Sequence, residues 1–139
     1  MRVSTSTNIL YERINGENID QRTAIRLCAE AGYQVLDFCF HDAVTLKSGF
    51  LTDRWQSYME EMKRTGEACG VEFALGPAVV YDFCSGTIDR EYYDSLMERC
   101  ILGAEILGIA WLVLHPSTME TERFLPDKPE SKKANLAFF

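Results

Sequence analysis

The chain alternates between short apolar segments and amphipathic segments, and this order constrains its fold more than any other feature. Apolar, β-branched and aromatic runs predict four strands, at about residues 3–7, 34–40, 71–75 and 110–115. The stretches between them carry helical spacing of apolar residues. Strands separated by helices favour right-handed crossovers and a single parallel sheet. We therefore predict an α/β fold built from four βα units.

Each of the three predicted helices ends at a glycine. The first begins near Ile19, with Asn18 as its N-cap and Gln21 completing a pattern close to a capping box, and Gly32 ends it. The second begins near Thr52 and ends at Gly70, and a stripe on it is predicted to pack against the sheet: Trp55, Tyr58, Met59 and Met62.

The third predicted helix follows a turn at Gly76 and Pro77, where the third strand should stop. Its N-cap is Thr87 or Asp89, and it ends at Gly108. Its predicted buried stripe is Tyr92, Leu96, Cys100 and Ala104, and Gly103 marks a close approach to the sheet. A polar loop with Pro126 and Pro129 then leads to residues 131–139, which look like the start of a fourth helix.

Two architectures fit four such units, a small doubly wound sheet or part of a (β/α)₈ barrel. A complete barrel needs about 250 residues, and this chain has 139 residues. The sequence also stops on the apolar run LAFF, so we expect a fragment. We take residues 1–139 as one partial barrel domain whose last helix is incomplete.

Charge and composition exclude several classes of protein. The net charge of −7 argues against electrostatic binding of nucleic acid. No apolar run reaches the roughly 20 residues of a membrane span, and the N-terminus lacks a signal-peptide core. The five cysteines form no CxxC pair and fall mostly in apolar segments, which suits buried free thiols in a reducing compartment. We expect a cytoplasmic protein.

In either architecture, functional groups collect in the loops that follow the carboxyl ends of the strands. Those positions hold Asn8, the pair His41 and Asp42, the loop 76–86, and His115. Both histidines of the chain therefore follow strands.

His115 has a structural and a functional interpretation. It could be a half-buried histidine whose ring nitrogens bond the backbone. Against this, it shares a strand face with Trp111 and Val113 and lies where the strand meets its loop. A neutral imidazole can donate to a sugar hydroxyl or bind a metal. We predict a substrate-binding role for His115, with metal ligation as the lesser alternative.

The other candidates keep two interpretations each. Asp42 could form a local turn, or it could contact substrate together with His41. Asn8 could bind substrate or only turn the chain. Asp37 should point into the barrel, where a hydrogen-bonded or ion-paired site is favoured over catalysis.

The loop 76–86 is unusually apolar and aromatic for an exposed loop. Tyr81 or Phe83 could pack against a sugar as part of a lid or of a partner surface. A loop folded back as local core is slightly favoured.

Several segments together resemble one superfamily. RVSTSTNI, AEAGYQVLDF, ACGVEF and above all LGIAWLVLHPS resemble the xylose isomerase-like TIM barrels, which include sugar phosphate isomerases and epimerases. The resemblance covers almost the whole chain, in order, but only the N-terminal half of the family's barrel.

The resemblance implies an enzyme that acts on a ketose or related polyol through a metal-stabilised enediolate. It implies a divalent cation, such as Mn, Mg, Co or Zn, whose ligands and base lie mostly beyond Phe139. Many relatives carry a histidine before the proline that follows strand three, and here Leu75 or Gly76 takes that place. His115 ligates metal in the abasic-site endonucleases and more often lines the pocket in the sugar enzymes. We therefore expect this chain alone to have no turnover or only very weak turnover.

Two alternatives remain open at this point. One is a non-enzymatic half-barrel that self-associates into a homo-oligomer, because strands one and four would otherwise be open edges. The other is the abasic-site endonuclease branch, which the acidic charge and the missing histidine disfavour.

Overall fold

The computed structural model describes residues 2–9, 18–82 and 88–116, together with Lys133 and Leu136. The predicted proline-containing loop, the remaining residues of the predicted fourth helix, Phe83 and Thr87 lie outside the described residues. In chain order the elements are β1 (Ser4–Ser6), α1 (Gln21–Glu30), β2 (Val35–Asp37), α2 (Phe40–Thr45), a 3₁₀ turn (Gly49–Leu51), α3 (Trp55–Cys69), β3 (Glu72–Pro77), α4 (Arg90–Leu107) and β4 (Trp111–Val113).

The four strands form one parallel sheet in the order β1-β2-β3-β4. This confirms the α/β fold class, with four parallel strands that alternate with helices. Because all four strands run the same way, their carboxyl ends meet at one edge, which we call the carboxyl end of the sheet. None of the helices in the described ranges is long and apolar enough to cross a bilayer.

One face of the sheet carries the helices and the core, and the other is open in the described part of the chain. Leu36 and Phe73 are buried against the helices and pair with each other across β2 and β3. Since side chains alternate along a strand, the neighbouring positions face the other way. We call that opposite surface the inner face, and its strand residues are Ser4, Ser6, Val35, Asp37, Glu72, Leu75, Pro77, Trp111 and Val113.

The core between the sheet and the helices is aromatic and rich in methionine. Phe38, Phe40 and Phe50 are fully buried, and Met59 and Met62 of α3 pack with them. The predicted packing stripe of α3 is thus confirmed. In α4 the stripe is confirmed at Leu96, Cys100 and Ala104, which are buried. Tyr92 is exposed.

Glycine ends all three long helices as predicted. Gly32, Gly70 and Gly108 have φ of 93°, 69° and 74°, a left-handed conformation that side chains with a Cβ rarely adopt. Gly103 faces the core, where a Cβ would lie 2.9 Å from the Phe40 ring.

The predicted start of the first helix is wrong. α1 begins at Gln21, and its N-cap is Asp20, whose carboxylate accepts a 2.7 Å hydrogen bond from the Thr23 backbone N–H. Asn18 lies two residues earlier, outside the helix. In the third predicted helix, Asp89 is the N-cap and accepts from the Tyr92 N–H.

The third strand does not stop at Gly76 but continues through Pro77. Ala74 is the extra residue of a bulge, because Leu36 pairs with Phe73 and Asp37 pairs with Leu75. The Ala78 N–H donates to the Val113 carbonyl of β4. Backbone groups alternate in direction along a strand, so those of Pro77, one residue earlier, point to the β2 side. β2 has ended at Asp37, and the missing proline N–H therefore costs no ladder hydrogen bond.

Candidate functional site

The carboxyl end of the sheet collects the residues that the sequence singled out. Asn8 follows β1, His41 lies in the first turn of α2 after β2, and His115 follows β4 by two residues. Asn8 and His115 are exposed and His41 is half-buried. The two imidazoles therefore lie at the same end of the molecule.

His41 is held by the segment after β3. Its Nδ1 accepts a hydrogen bond from the Val80 backbone N–H at 3.3 Å. An imidazole nitrogen that accepts is unprotonated, so in the neutral ring Nε2 carries the hydrogen and can donate. This contact joins α2 to the β3 loop and gives His41 a fixed tautomer.

Asp42 lies beneath the surface, with only 1% of its area exposed. The short helix α2 turns it inward, next to Cys39. Burial is the main reason that the pKa of the Cys39 thiol is raised to about 12; a hydrogen bond with the Asp42 backbone lowers it, and the Asp42 and Asp37 carboxylates contribute to raising it. A ligand at the carboxyl end of the sheet would not reach the Asp42 carboxylate in this conformation.

Asp37 lies on the inner face near the end of β2, as its position in the strand predicts. Its Oδ1 accepts a hydrogen bond from the Ser6 hydroxyl at 3.2 Å. Desolvation raises the pKa of Asp37, the Ser6 hydrogen bond lowers it, and the Asp42 carboxylate raises it. Sequence reasoning missed Ser6, although the alternation in STST places Ser4 and Ser6 on one face.

The raised pKa of Asp37 leads to a prediction about stability and pH. Folded Asp37 keeps its proton at pH values above the ordinary aspartate pKa of about 3.9. The free energy of unfolding therefore falls as the pH rises from about 3.9 through the raised pKa of the folded protein. We expect Asp37→Asn, which can still accept from Ser6, to be more stable than wild type at pH 7. The gain should stay below about 1 kcal/mol because solvent screens the half-buried group.

Urea unfolding at pH 4.5 and pH 7 measures this effect, and Glu105→Gln on the exposed side of α4 is the control. The advantage of the Asp37 variant should shrink at the lower pH. A variant that is less stable than wild type at pH 7 would contradict the assignment.

The segment after β3 folds back as local core over its described part, 78–82. Ala78 and Val79 are buried, and the Tyr81 ring stacks on Tyr93 with centroids 4.8 Å apart. The Tyr81 hydroxyl donates to Asp94 at 3.0 Å, and its pKa is raised to about 12 by burial first and by that carboxylate second. One face of the Tyr81 ring is therefore covered by Tyr93.

The metal ion that the resemblance implies would need several ligands from the described ranges if its site lay within them. There, no three His, Cys, Asp or Glu side chains lie close enough together to hold a metal ion. His115 thus has no second and third ligand within this part of the chain, and the described residues do not fit a complete metal site.

Comparisons with known proteins support the fold. The sequence matches no protein-family model and no curated protein. The structure resembles a probable 3-DHS dehydratase, AsbF, from Bacillus anthracis, with a TM-score of 0.60, 12% identity, and coverage of 99% of this chain and 46% of that one. It also resembles a family 2 AP endonuclease from Brucella melitensis, with a TM-score of 0.50 and 15% identity over 81% of this chain and 40% of that one.

Both solved structures are xylose isomerase-like TIM barrels. The chain spans less than half the length of either. At 12–15% identity the likeness concerns the fold and not the reaction. The chain thus has the parallel α/β fold of about half of such a barrel.

Proposed function

We propose that the carboxyl end of this sheet binds a ketose or related polyol, as one half of a sugar phosphate isomerase or epimerase. The observation that carries the proposal is the position of His41 and His115 at the same end of one parallel sheet. Enzymes with parallel α/β barrels bind their ligands at this end.

The chemistry of these side chains suits a polyol. Nε2 of His41 is an N–H donor because Nδ1 already accepts from Val80. The exposed His115 ring offers one donor and one acceptor when it is neutral, and Asn8 offers both through its amide. Sugar hydroxyls donate and accept in the same way, so these three residues would bind and orient a polyol. The buried Asp42 carboxylate would not contact the polyol.

The chemical step needs groups that the described residues do not supply. The proposed divalent cation, Mn, Mg, Co or Zn, would polarise the substrate carbonyl, and we place its ligands and the catalytic base outside these ranges. This chain would bind substrate without converting it.

The abasic-site endonuclease alternative gains less support. The similarity to an AP endonuclease concerns the fold alone. The net charge of −7 would repel the phosphate backbone of DNA.

We predict that ketoses perturb the amide resonances of this chain at one end of the sheet. In an NMR titration with fructose, tagatose and ribulose, shifts should cluster around Asn8, His41, Val80 and His115. His115→Ala should weaken binding by about 2- to 12-fold, because one hydrogen bond contributes about 0.5–1.5 kcal/mol.

Gln34→Ala is the matched control, since Gln34 is exposed just before β2, at the amino end of the sheet. Equal loss of affinity in both variants, or shifts around Gln34, would refute the site. The same samples with added Mn²⁺ should show no conversion of the ketose, and robust turnover would refute the placement of the base and metal ligands elsewhere.

A further inference from the structure

We propose that Thr7 and Gln21 are positioning residues for the candidate sugar site, because they hold the backbone of Cys39 and through it fix the imidazole of His41. Thr7 is fully buried and Gln21 is 2% exposed, so neither side chain would itself contact a ligand. Their effect on ketose affinity rests on the proposed function. Their effect on the His41 ring does not, and it can be measured without a ligand.

The helix that carries His41 is too short to hold its own position. α2 has six residues, whereas helices shorter than about 12–15 residues are marginal in water on their own. Cys39 is the buried N-cap residue of α2. His41 follows two residues later, roughly 3 Å further along the helix axis. The position of the His41 ring therefore depends on how the Cys39 backbone is held.

Two buried side chains hold that backbone from different elements. The Cys39 N–H donates a hydrogen bond to the Thr7 hydroxyl oxygen at 3.1 Å. The Cys39 carbonyl accepts a hydrogen bond from Gln21 Nε2 at 3.0 Å. Thr7 directly follows β1, and Gln21 is the first residue of α1. Because a buried backbone group is costly without a hydrogen bond, both contacts favour one position of Cys39.

Thr7 and Gln21 are themselves fixed by neighbouring elements. The Thr7 N–H donates to the Asp37 carbonyl of β2 at 2.9 Å, which continues the pairing of β1 with β2. Oε1 of Gln21 accepts a hydrogen bond from the Tyr58 hydroxyl of α3. The start of α2 is thus connected both to the sheet and to the outer helices.

The contact that His41 makes with the β3 loop leaves little room for movement. Its Nδ1 lies 3.3 Å from the Val80 nitrogen, and at about 3.6 Å such a contact is no longer a hydrogen bond. A displacement of about 0.3 Å away from Val80 would therefore break it. Without the Val80 N–H, either nitrogen of the neutral ring can carry the proton, and Nε2 is no longer fixed as a donor.

The ¹⁵N chemical shifts of the His41 ring test the proposal, because they report which nitrogen carries the proton. At pH 8.5, where an ordinary histidine is neutral, wild type should show mainly the Nε2–H form. Thr7→Val keeps the shape of the side chain but removes the acceptor of the Cys39 N–H. It should raise the ratio of the Nδ1–H form to the Nε2–H form by about 2- to 12-fold, the effect of one hydrogen bond. Gln21→Leu, which removes the donor to the Cys39 carbonyl, should do the same.

Thr65→Val is the matched control for Thr7→Val. Thr65 is a buried threonine of α3 whose hydroxyl donates to the Glu61 carbonyl within the same helix. Its replacement should leave the His41 ring shifts unchanged, whatever it does to stability. Thr7→Ser keeps a hydroxyl oxygen for the Cys39 N–H and should retain the wild-type ratio. These two variants distinguish a loss of positioning from a general loss of stability.

A double-mutant cycle connects the contact to the proposed function. Thr7→Val should weaken ketose binding by about 2- to 12-fold, with no further loss in the His41→Ala background, because Thr7 acts through His41. Additive losses would overturn the inference. So would a wild type without a dominant Nε2–H form, an unchanged ratio in both Thr7→Val and Gln21→Leu, or an equal change in Thr65→Val. A wild type that binds no ketose would overturn the proposed function alone, since the ring shifts still decide the positioning.

Discussion

Replacing Phe40 with alanine is expected to lower the free energy of unfolding by about 3–5 kcal/mol. Phe40 is fully buried. Its ring lies 5.1 Å from Phe38 in an edge contact and 5.7 Å from Phe50, measured between centroids. Truncation would remove these contacts and leave a cavity between the sheet and α4. Equilibrium urea unfolding, followed by circular dichroism, measures the loss.

No side chain of Gly76 or Gly103 can fill the cavity, because these two glycines bring bare backbone against the Phe40 ring. A Cβ at Gly76 would lie 2.8 Å from the Phe40 ring and 3.0 Å from the Phe38 carbonyl oxygen. A Cβ at Gly103 would lie 2.9 Å from the same ring. Real Cβ atoms need more room, so sheet and helix are already as close as the ring permits.

A second substitution tests this explanation directly. Gly103→Ala should cost about 1–3 kcal/mol in wild type through overpacking, and less, or nothing, in the Phe40→Ala background, where the methyl enters the cavity. Tyr92→Ala, at an exposed aromatic of the same helix, should change stability by no more than about 0.5 kcal/mol. If Gly103→Ala costs the same in both backgrounds, Phe40 does not fill the space between Gly76 and Gly103.

Phe40 also shows where sequence reasoning about the fold reached its limit. The aromatic residues Phe38 and Phe40 extended the predicted second strand to residue 40, but β2 ends at Asp37 and Phe40 begins α2. Strand propensity largely reflects packing on a half-buried surface, and a buried aromatic at the start of a helix meets the same requirement. The six residues of α2 and the three of the 3₁₀ turn are too short to establish a helical period.

The long helices and the strand order could be predicted, because a glycine marks the end of each helix and because a general rule governs the topology of alternating strands and helices. Gly32, Gly70 and Gly108 each mark a helix end by a backbone conformation that favours glycine. The βα alternation restricts the sheet to parallel topologies. The same rule predicted that His41 and His115 lie at one end. The burial of Asp42 was not predictable, because it depends on α2, whose presence the sequence did not reveal.

The substitution Gln21→Leu is expected to lower the free energy of unfolding by about 2–4 kcal/mol. The sequence pattern assigned Gln21 to a capping box, but the side chain is 2% exposed and crosses between elements. Its Nε2 donates to the Cys39 carbonyl at 3.0 Å, and its Oε1 accepts from the Tyr58 hydroxyl at 2.5 Å. Leucine fills a similar volume but leaves that buried carbonyl and that hydroxyl hydrogen without their partner.

The Tyr58 hydroxyl keeps its proton over the whole range in which unfolding is measured. Burial raises the pKa of Tyr58 to about 12, against a smaller opposing effect of the Ser48 hydrogen bond. The Tyr58-to-Gln21 hydrogen bond should therefore contribute equally at pH 6 and pH 8. Any change in the cost of Gln21→Leu between these values would point to a different partner.

A double-mutant cycle with Tyr58→Phe separates this hydrogen bond from packing. Tyr58→Phe alone leaves Oε1 of Gln21 without its donor and should cost about 1–3 kcal/mol. In the Gln21→Leu background the hydroxyl has already lost its acceptor, so removing it should cost little or stabilise the protein. Gln34→Leu, at an exposed glutamine, controls for the change of residue type. Additive losses in the cycle would show that Gln21 and Tyr58 do not form a coupled buried pair.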